Sequence, residues 1–291
     1  MRSDVWPQHC RGALVRAVSA AAAQFPAPGE EAPKRIHDVR KALKEARAIA
    51  RLFLDCVGEP ARVTMTALAA TRRQIGRARD LDVMALRVKR LELPPEISEP
   101  LMTAIARERQ AASHARRGLS ASAPRARLNA VVRRVEAWDL SEMDADEIVA
   151  AAARTYRQAR RRGRRAFESG DPVALHAFRA RVVDLRYQLA LLACAWPEAL
   201  KAQAEGLNEL RESLGDHHDL HVLAAFAAEL GSAGPAALAQ LQERVEAKQE
   251  MLGRRAETEY RRLFAETPRA FASRLAAYLG WPVNMPAAEL P

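Results

Sequence analysis

The chain has 291 residues, a formal net charge of +10 and 49% hydrophobic residues, which suffices for one large or two medium packed domains. Only 5% of the residues are aromatic, and no apolar run approaches the roughly 20 residues that a membrane-spanning helix needs. The three cysteines show no metal-ligand spacing, so the composition argues against a membrane protein or a disulfide scaffold and favours a reduced, cytoplasmic protein.

The basic residues are dominated by arginine, because only six of the 46 are Lys and the other 40 are Arg. Arg presents a planar fork that binds phosphate oxygens with two hydrogen bonds, whereas Lys acts as a point charge. The same bias is typical of proteins from high-GC genomes, in which Arg replaces Lys on the surface. The positions of the basic residues therefore carry more information than their number.

Apolar periodicity and the placement of Gly and Pro predict helices throughout the chain and no sheet. The first-half helices are predicted over residues 4–24, 36 to about 58–60, 61–75, 80–91 and 100–119, with a further helix ending at 138. Gly76 is expected to cap the third of these, and Asp80 to be the N-cap of the fourth. Residues 26–33 are a predicted loop.

The acidic segment 139–147 lacks a clear apolar stripe, so we predict a boundary there between two halves, 1–142 and 143–291. Helices continue to the end of the second half, and their predicted breaks lie at residues 170–172, 197, 215 and 231–235. Gly215 is expected to end one helix and Asp219 to begin the next. The last two helices are predicted to end near residues 265 and 280, before an irregular tail.

The helix from Ile36 to Phe53 carries two stripes. Its apolar stripe, at alternating spacings of three and four, consists of Ile36, Val39, Leu43, Ala46, Ala50 and Phe53. A basic stripe beside it, within an arc of about 80°, consists of His37, Arg40, Lys44, Arg47 and Arg51. A charged row at the edge of a core costs desolvation unless an anion meets it, so this stripe is a candidate anion site.

The same helix pattern recurs later in the chain, where His176, Arg179 and Arg186 repeat the first stripe. The difference in residue number is 176 − 37 = 139, and we call it the repeat offset. The sequences "GRARDLDV" at 76 and "GDHHDLHV" at 215 are separated by the same offset, and two matches in a fixed order indicate an internal duplication. We therefore predict an all-α fold of two antiparallel helical bundles, about four to five helices each, related by an approximate two-fold axis.

These repeated sequences, "IHDVRKALKEAR" with "LHAFRARVVDLRY" and "IGRARDLDV" with "LGDHHDLHV", resemble the paired signatures of CHAD proteins, named for a conserved histidine α-helical domain. The resemblance covers about residues 4 to 279. It implies basic helices that converge on a surface or channel for inorganic polyphosphate, in a protein associated with polyphosphate granules. It also implies a stand-alone, non-enzymatic member, because the Glu-x-Glu-x-Lys motif of the fused triphosphatase domain is absent from this sequence.

One position departs from the family pattern. Family members usually carry Lys or Arg seven residues after the motif His, which Lys44 satisfies in the first half, but the second half has Val183. The first half is therefore expected to contribute more to the site. The residues predicted to bind polyphosphate are His37, Arg40, Lys41, Lys44, Arg47, Arg51, Arg79, Arg157, Arg161, Arg164, His176, Arg179 and Arg186.

Each of these features also has a purely structural interpretation. The basic stripes are compatible with solvated helix faces, the motif histidines with backbone hydrogen bonds, and Asp80 and Asp219 with N-caps that also hold the motif arginines in place. Functionally, nucleic-acid binding through the same basic face is the main alternative. A metal-chelating protein, or a scaffold whose positive face docks acidic partners, is another.

His217 and His221 have helical i, i+4 spacing and suggest a metal site. The equivalent first-half positions are Ala78 and Asp82, so the set is not repeated and we predict no metal. No nucleophile–base pair or Gly-rich phosphate loop is evident, so neither a catalytic residue nor a cofactor is predicted. The oligomeric state stays open.

Overall fold

The computed structural model describes residues 5–26, 33–75, 77–117, 122–230 and 234–280. All regular structure within these ranges is helical, which confirms the predicted all-α class. The helices are α1 (Val5–Ala23), α2 (Pro33–Ala50), α3 (Glu59–Gln74), α4 (Arg77–Arg90), α5 (Pro95–Arg117), α6 (Ser122–Glu136), α7 (Ala145–Ser169), α8 (Pro172–Leu192), α9 (Pro197–Leu230), α10 (Pro235–Leu263) and α11 (Pro268–Gly280). A 3₁₀ helix, Arg51–Phe53, follows α2 directly.

The helix boundaries follow the repeat offset that relates the sequence motifs. Residues 33–53, which form α2 and the 3₁₀ helix, correspond to 172–192, which form α8. Helices α3 and α4 together correspond to α9, so six α-helices precede residue 143 and five follow it in the described ranges. Neighbours correspond as well, because α1 packs on α2 as α7 packs on α8. The two-fold axis and the duplication themselves stay predictions.

Helix α7 ends and α8 begins at the "GDP" sequence, residues 170–172, as predicted. Gly170 ends α7 with a φ of 65°, a left-handed conformation that glycine adopts without steric cost. Asp171 is the N-cap of α8, and its carboxylate accepts hydrogen bonds from the backbone N–H groups of Val173 and Ala174. Pro172 occupies the first helical position, where no backbone donor is needed.

Five of the predicted helix boundaries are wrong, and one of them is the end of the first motif helix, whose helical residues stop at Phe53 instead of near 58–60. Gly215 does not end a helix, because α9 runs through it without a break, and Asp219 therefore lies inside α9 instead of at its start. Asp80 is the fourth residue of α4 and not its N-cap. Helix α5 begins at Pro95, earlier than the predicted start at residue 100. The predictions for Gly76 and for the tail after residue 280 lie outside the described residues.

Two hydrophobic cores fill the molecule, and each combines residues from both predicted halves. The larger core lies mainly among α1, α2, α6, α7, α8, the first part of α9 and α11, with Trp6, Phe178 and Phe271 among its largest fully buried side chains. The smaller core joins α4 and α5 to the second part of α9 and to α10. The division at 142/143 stays a prediction.

The two motif helices, α2 and α8, pack directly against each other. All six residues of each apolar stripe are buried, which confirms the periodicity read from the sequence. Gln188 of α8 donates a buried hydrogen bond of 2.9 Å to the carbonyl of Ala48 in α2. Because α3 packs on α2 and α9 packs on α8, the basic stripes of both motif helices face the same group of four helices.

Candidate anion-binding site

Five cationic side chains from four helices come together beside the contact between α2 and α8. This cation cluster consists of Arg40 and Lys44 of α2, Arg72 of α3, Arg179 of α8 and Arg211 of α9. Burial, followed by the charges of the four arginines, lowers the pKa of Lys44 to about 8. The charged groups that act most strongly on Lys44 are thus all positive. Such a cluster repels itself and favours an anion.

Arg179 lies deepest in the cluster. Burial lowers the pKa of its guanidinium, the carboxylate of Asp219 raises it, and the charges of Arg211 and Arg72 lower it further. Its Nε is buried and makes no hydrogen bond within the part of the chain that the structure describes. A buried, unbonded N–H in a charged group is costly unless a ligand accepts from it.

Gly215 explains how Arg179 reaches this position. A Cβ at Gly215 would lie 3.0 Å from Nη2 and 3.2 Å from Nε of Arg179, so the guanidinium rests directly against the backbone of α9. A glycine here allows this close approach without displacing the guanidinium and is not a helix cap, which is the physical reason for the wrong boundary prediction.

Arg72 adds a cation from α3 to the cluster. Burial and then the charges of Arg47 and Arg40 lower the pKa of Arg72, and its buried Nε also lacks a hydrogen bond among the described residues. Arg47, one of the predicted site residues, thus lies within electrostatic reach of the cluster. A polyanion that entered here would meet cations from both motif helices and from α3.

Three carboxylates border the cluster. Asp80 of α4 pairs with Arg40 at 2.9 Å, and its side chain is 64% exposed. Asp216 and Asp219 of α9 both pair with Arg87 of α4, Asp219 at 3.0 Å. The expectation that these aspartates hold the motif arginines in place is thus confirmed for Asp80, whereas Asp219 contacts Arg87.

Two histidines contact each other at the edge of the cluster, with their ring planes tilted by 35°. The rings of His176 in α8 and His218 in α9 lie 4.2 Å apart between centroids. Burial and then Arg179 and Arg72 lower the pKa of His176. Burial and then His176 and Arg179 lower the pKa of His218 to about 4. Both rings are therefore neutral near pH 7, although a bound anion would favour their charged forms.

The arrangement of His217 and His221 gives no support to a metal site. Within the described residues, no group of three or more His, Cys, Asp or Glu side chains is arranged to hold a metal ion. Burial and then His221 lower the pKa of His217, which shows that the two rings are close. Two ligands alone fall short of the four that a structural zinc site uses.

Comparison with known proteins places this fold and site in a family. A sequence model of the CHAD domain matches residues 12–228, which is more than half of the chain and includes all four repeated motifs. The chain belongs to the CHAD domain family. The crystal structure of the CHAD domain from the plant Ricinus communis matches with a TM-score of 0.62 and 19% identity, covering 91% of this chain and 93% of that chain. At 19% identity, this structural likeness shows the fold alone. The search of curated proteins found no match to the chain.

Several predicted site residues lie outside the cluster in this CHAD-family chain. Arg51 pairs with the buried carboxylate of Asp184 at 3.0 Å, and its charge is therefore used inside the fold. Arg186 lies 4.7 Å from the ring centroid of Tyr187. His37 and Lys41 are exposed on α2.

The predicted stripe on α7 is solvent-exposed. Arg157, Arg161 and Arg164 all lie on the surface, and Arg164 is 3.9 Å from Glu168 in the next turn. The side chain of Arg79 lies outside the described residues. None of the helices in the described part of the chain is both long enough and apolar enough to cross a bilayer.

Sequence reasoning missed Arg72 and Arg211, which both belong to the cation cluster. They are separated by the repeat offset, since 211 − 72 = 139. A search for further basic pairs at this offset would have found them. Their own helices carry no equivalent of the motif stripe, so the stripe pattern alone did not indicate them.

Proposed function

We propose that this chain binds inorganic polyphosphate in the cation cluster, as a non-enzymatic module associated with polyphosphate granules. The observation that carries this proposal is that the four charges acting most strongly on Lys44 all belong to arginines, which come from four different helices. A phosphate chain carries about one negative charge per unit, so adjacent cations on α2, α3, α8 and α9 suit successive phosphates. Membership of the CHAD family supports the same ligand.

Nucleic acid is the alternative ligand for a basic surface. Single-stranded nucleic acids bind through basic grooves that are lined with aromatic side chains, on which the bases stack. The groups that act most strongly on the charges of Lys44, Arg72 and Arg179 are Arg and Asp side chains. The cluster therefore suits a bare phosphate chain better than a chain of bases.

Competition at equal phosphate concentration separates the two ligands. We expect linear polyphosphate to displace duplex DNA and single-stranded RNA at physiological salt, measured by fluorescence anisotropy. The paired change Arg72→Gln with Arg211→Gln should lower polyphosphate affinity about 100-fold, because two charge-assisted hydrogen bonds are lost.

A matched control removes two charges elsewhere. Arg254 and Arg261 are exposed on α10 and pair with glutamates of the same helix, so Arg254→Gln with Arg261→Gln should change affinity less than about threefold. The same pair of changes at Arg157 and Arg161 shows whether the α7 stripe takes part. Equal losses in the cluster variant and the α10 control would overturn the proposed site.

A further inference from the structure

The two motif arginines have different access to nearby carboxylates. Arg40 and Arg179 are separated by the repeat offset, and so are Asp80 and Asp219. In the first half, Arg40 and Asp80 form an ion pair of 2.9 Å. In the second half, the charge of Asp219 acts on Arg179, yet Asp219 forms its ion pair with Arg87. Equivalent residues are thus paired differently in the two halves.

Arg87 accounts for this difference. It projects from α4, its side chain is only 12% exposed, and its Nη2 pairs with both Asp216 and Asp219 of α9. The position equivalent to Arg87 by the repeat offset is Phe226, which is half-buried against the smaller core. An apolar ring cannot hold a carboxylate, so Asp80 has no counterpart of Arg87 and binds Arg40 instead.

This arrangement leaves the buried Nε of Arg179 without a carboxylate partner among the described residues. Its guanidinium rests against Gly215, one residue before Asp216, and its buried Nε makes no hydrogen bond to a described residue. Asp216 and Asp219, on the same helix as Gly215, are the carboxylates whose charges act most strongly on Arg179. If they turned toward Arg179, they would neutralise the charge that a phosphate needs.

We propose that Arg87 is a positioning residue that draws Asp216 and Asp219 away from Arg179 and so keeps Arg179 available to phosphate, while Asp80 competes with phosphate for Arg40. The inference rests on the proposed polyphosphate function. It leaves Arg179 of the second half less engaged by carboxylates than Arg40 of the first, whereas Val183 suggested that the first half contributes more.

A double-mutant cycle tests the role of Arg87 with linear polyphosphate as the probe. Arg87→Gln should weaken binding about tenfold, the loss of about one charge-assisted hydrogen bond at Arg179. In the background Asp216→Asn with Asp219→Asn, the same Arg87→Gln change should have less than about a twofold effect. If Arg87 instead touches phosphate or acts through net charge, it would weaken binding equally in both backgrounds, and the inference would fail.

A second comparison leaves Arg87 intact, so it stands even if Arg87→Gln does not fold. Asp80→Asn and Asp219→Asn make the same chemical change at equivalent positions. Because Asp80 competes for Arg40 and Asp219 is already held, we expect about a fivefold gain in affinity for the first and less than about twofold for the second. Equal gains would overturn the inference.

Failure of the proposed function and failure of the inference about Arg87 would give different results. A wild-type chain that does not bind polyphosphate contradicts the proposed function itself, and the inference falls with it. A wild-type chain that binds, with additive effects in the cycle and equal gains at Asp80 and Asp219, contradicts only the role of Arg87. Circular dichroism of each variant confirms that its helices are retained.

Discussion

At the residue scale, Lys44 carries the strongest sign that the site is incomplete without an anion. Its pKa falls from an ordinary value of 10.5 to about 8, first through burial and then through Arg179, Arg40, Arg72 and Arg211. The unfolded chain therefore holds this proton between about pH 8 and 10.5, where the folded chain has released it. The free energy of unfolding should rise with pH across that window, because the burial of the charged form is relieved.

Polyphosphate binding should show the opposite trend. Since phosphate needs the charged form of Lys44, affinity should fall about tenfold between about pH 7 and pH 9, as measured by titration calorimetry. Lys44→Arg keeps its charge in this range and should flatten the profile, whereas Lys44→Met should bind weakly at both values. A Lys44→Arg variant with the wild-type pH profile would assign the dependence to another group.

Lys44 is expected to lower the stability of the fold while it supports phosphate binding. Lys44→Met removes a half-buried charge on which four arginine charges act most strongly, so we expect a gain of about 1–2 kcal/mol in unfolding free energy at neutral pH, measured by urea unfolding. Functional sites commonly hold such unfavourable charges in the absence of ligand. A loss of stability in this variant would show that the ammonium group has a favourable partner in the folded chain.

At the element scale, the uninterrupted helix α9 is the feature that sequence reasoning misread. Glycine in mid-helix costs about 1 kcal/mol relative to alanine, so a glycine that persists there needs a reason. At Gly215 the reason is Arg179, whose guanidinium occupies the space of a side chain.

Gly215→Ala should separate binding from stability. The end of a flexible side chain can move by a few tenths of an ångström, so we expect unchanged or slightly higher stability, by up to about 1 kcal/mol, together with about a tenfold loss of polyphosphate affinity. Thermal unfolding and anisotropy measure the two effects. A Cβ added to Gly253, in α10, would have no neighbour within 4 Å, so Gly253→Ala is the matched control that should stabilise without affecting binding.

At the scale of the whole molecule, a buried ionic group joins the two halves. Asp184 of α8 pairs with Arg181 at 2.9 Å and with Arg51 at 3.0 Å, and its side chain is 3% exposed. Arg51 follows the motif helix of the first half, so this contact and the hydrogen bond from Gln188 to Ala48 fix α2 against α8. The relative position of the two basic stripes depends on that interface.

Asp184→Asn should therefore destabilise the fold by about 3–5 kcal/mol, because it leaves two partly buried guanidinium groups without a counter-charge. Urea unfolding measures the change. Asp55 pairs with Arg154 at the surface and is 60% exposed, so Asp55→Asn should cost less than about 1 kcal/mol. Similar losses in the two variants would show that the buried group does not hold the halves together.

The sequence by itself determined the features that depend on neighbours within one or two helical turns. The apolar stripes of α2 and α8, the "GDP" restart at 170–172 and the all-α class follow from periodicity and from the chemistry of Asp, Gly and Pro. The basic stripe indicated Lys44, and the repeat offset indicated Arg40 and Arg179, which the structure brings together.

Only the tertiary structure decided which charges meet and which cancel. Arg51 and Arg40 lie on one basic stripe, yet one is held by buried Asp184 and the other faces the cluster beside Asp80. Arg72 and Arg211 enter the site although no motif indicates them. The physical reason is that a helix period describes one helix, whereas the electrostatic environment of a side chain depends on packing between segments that are far apart in the sequence.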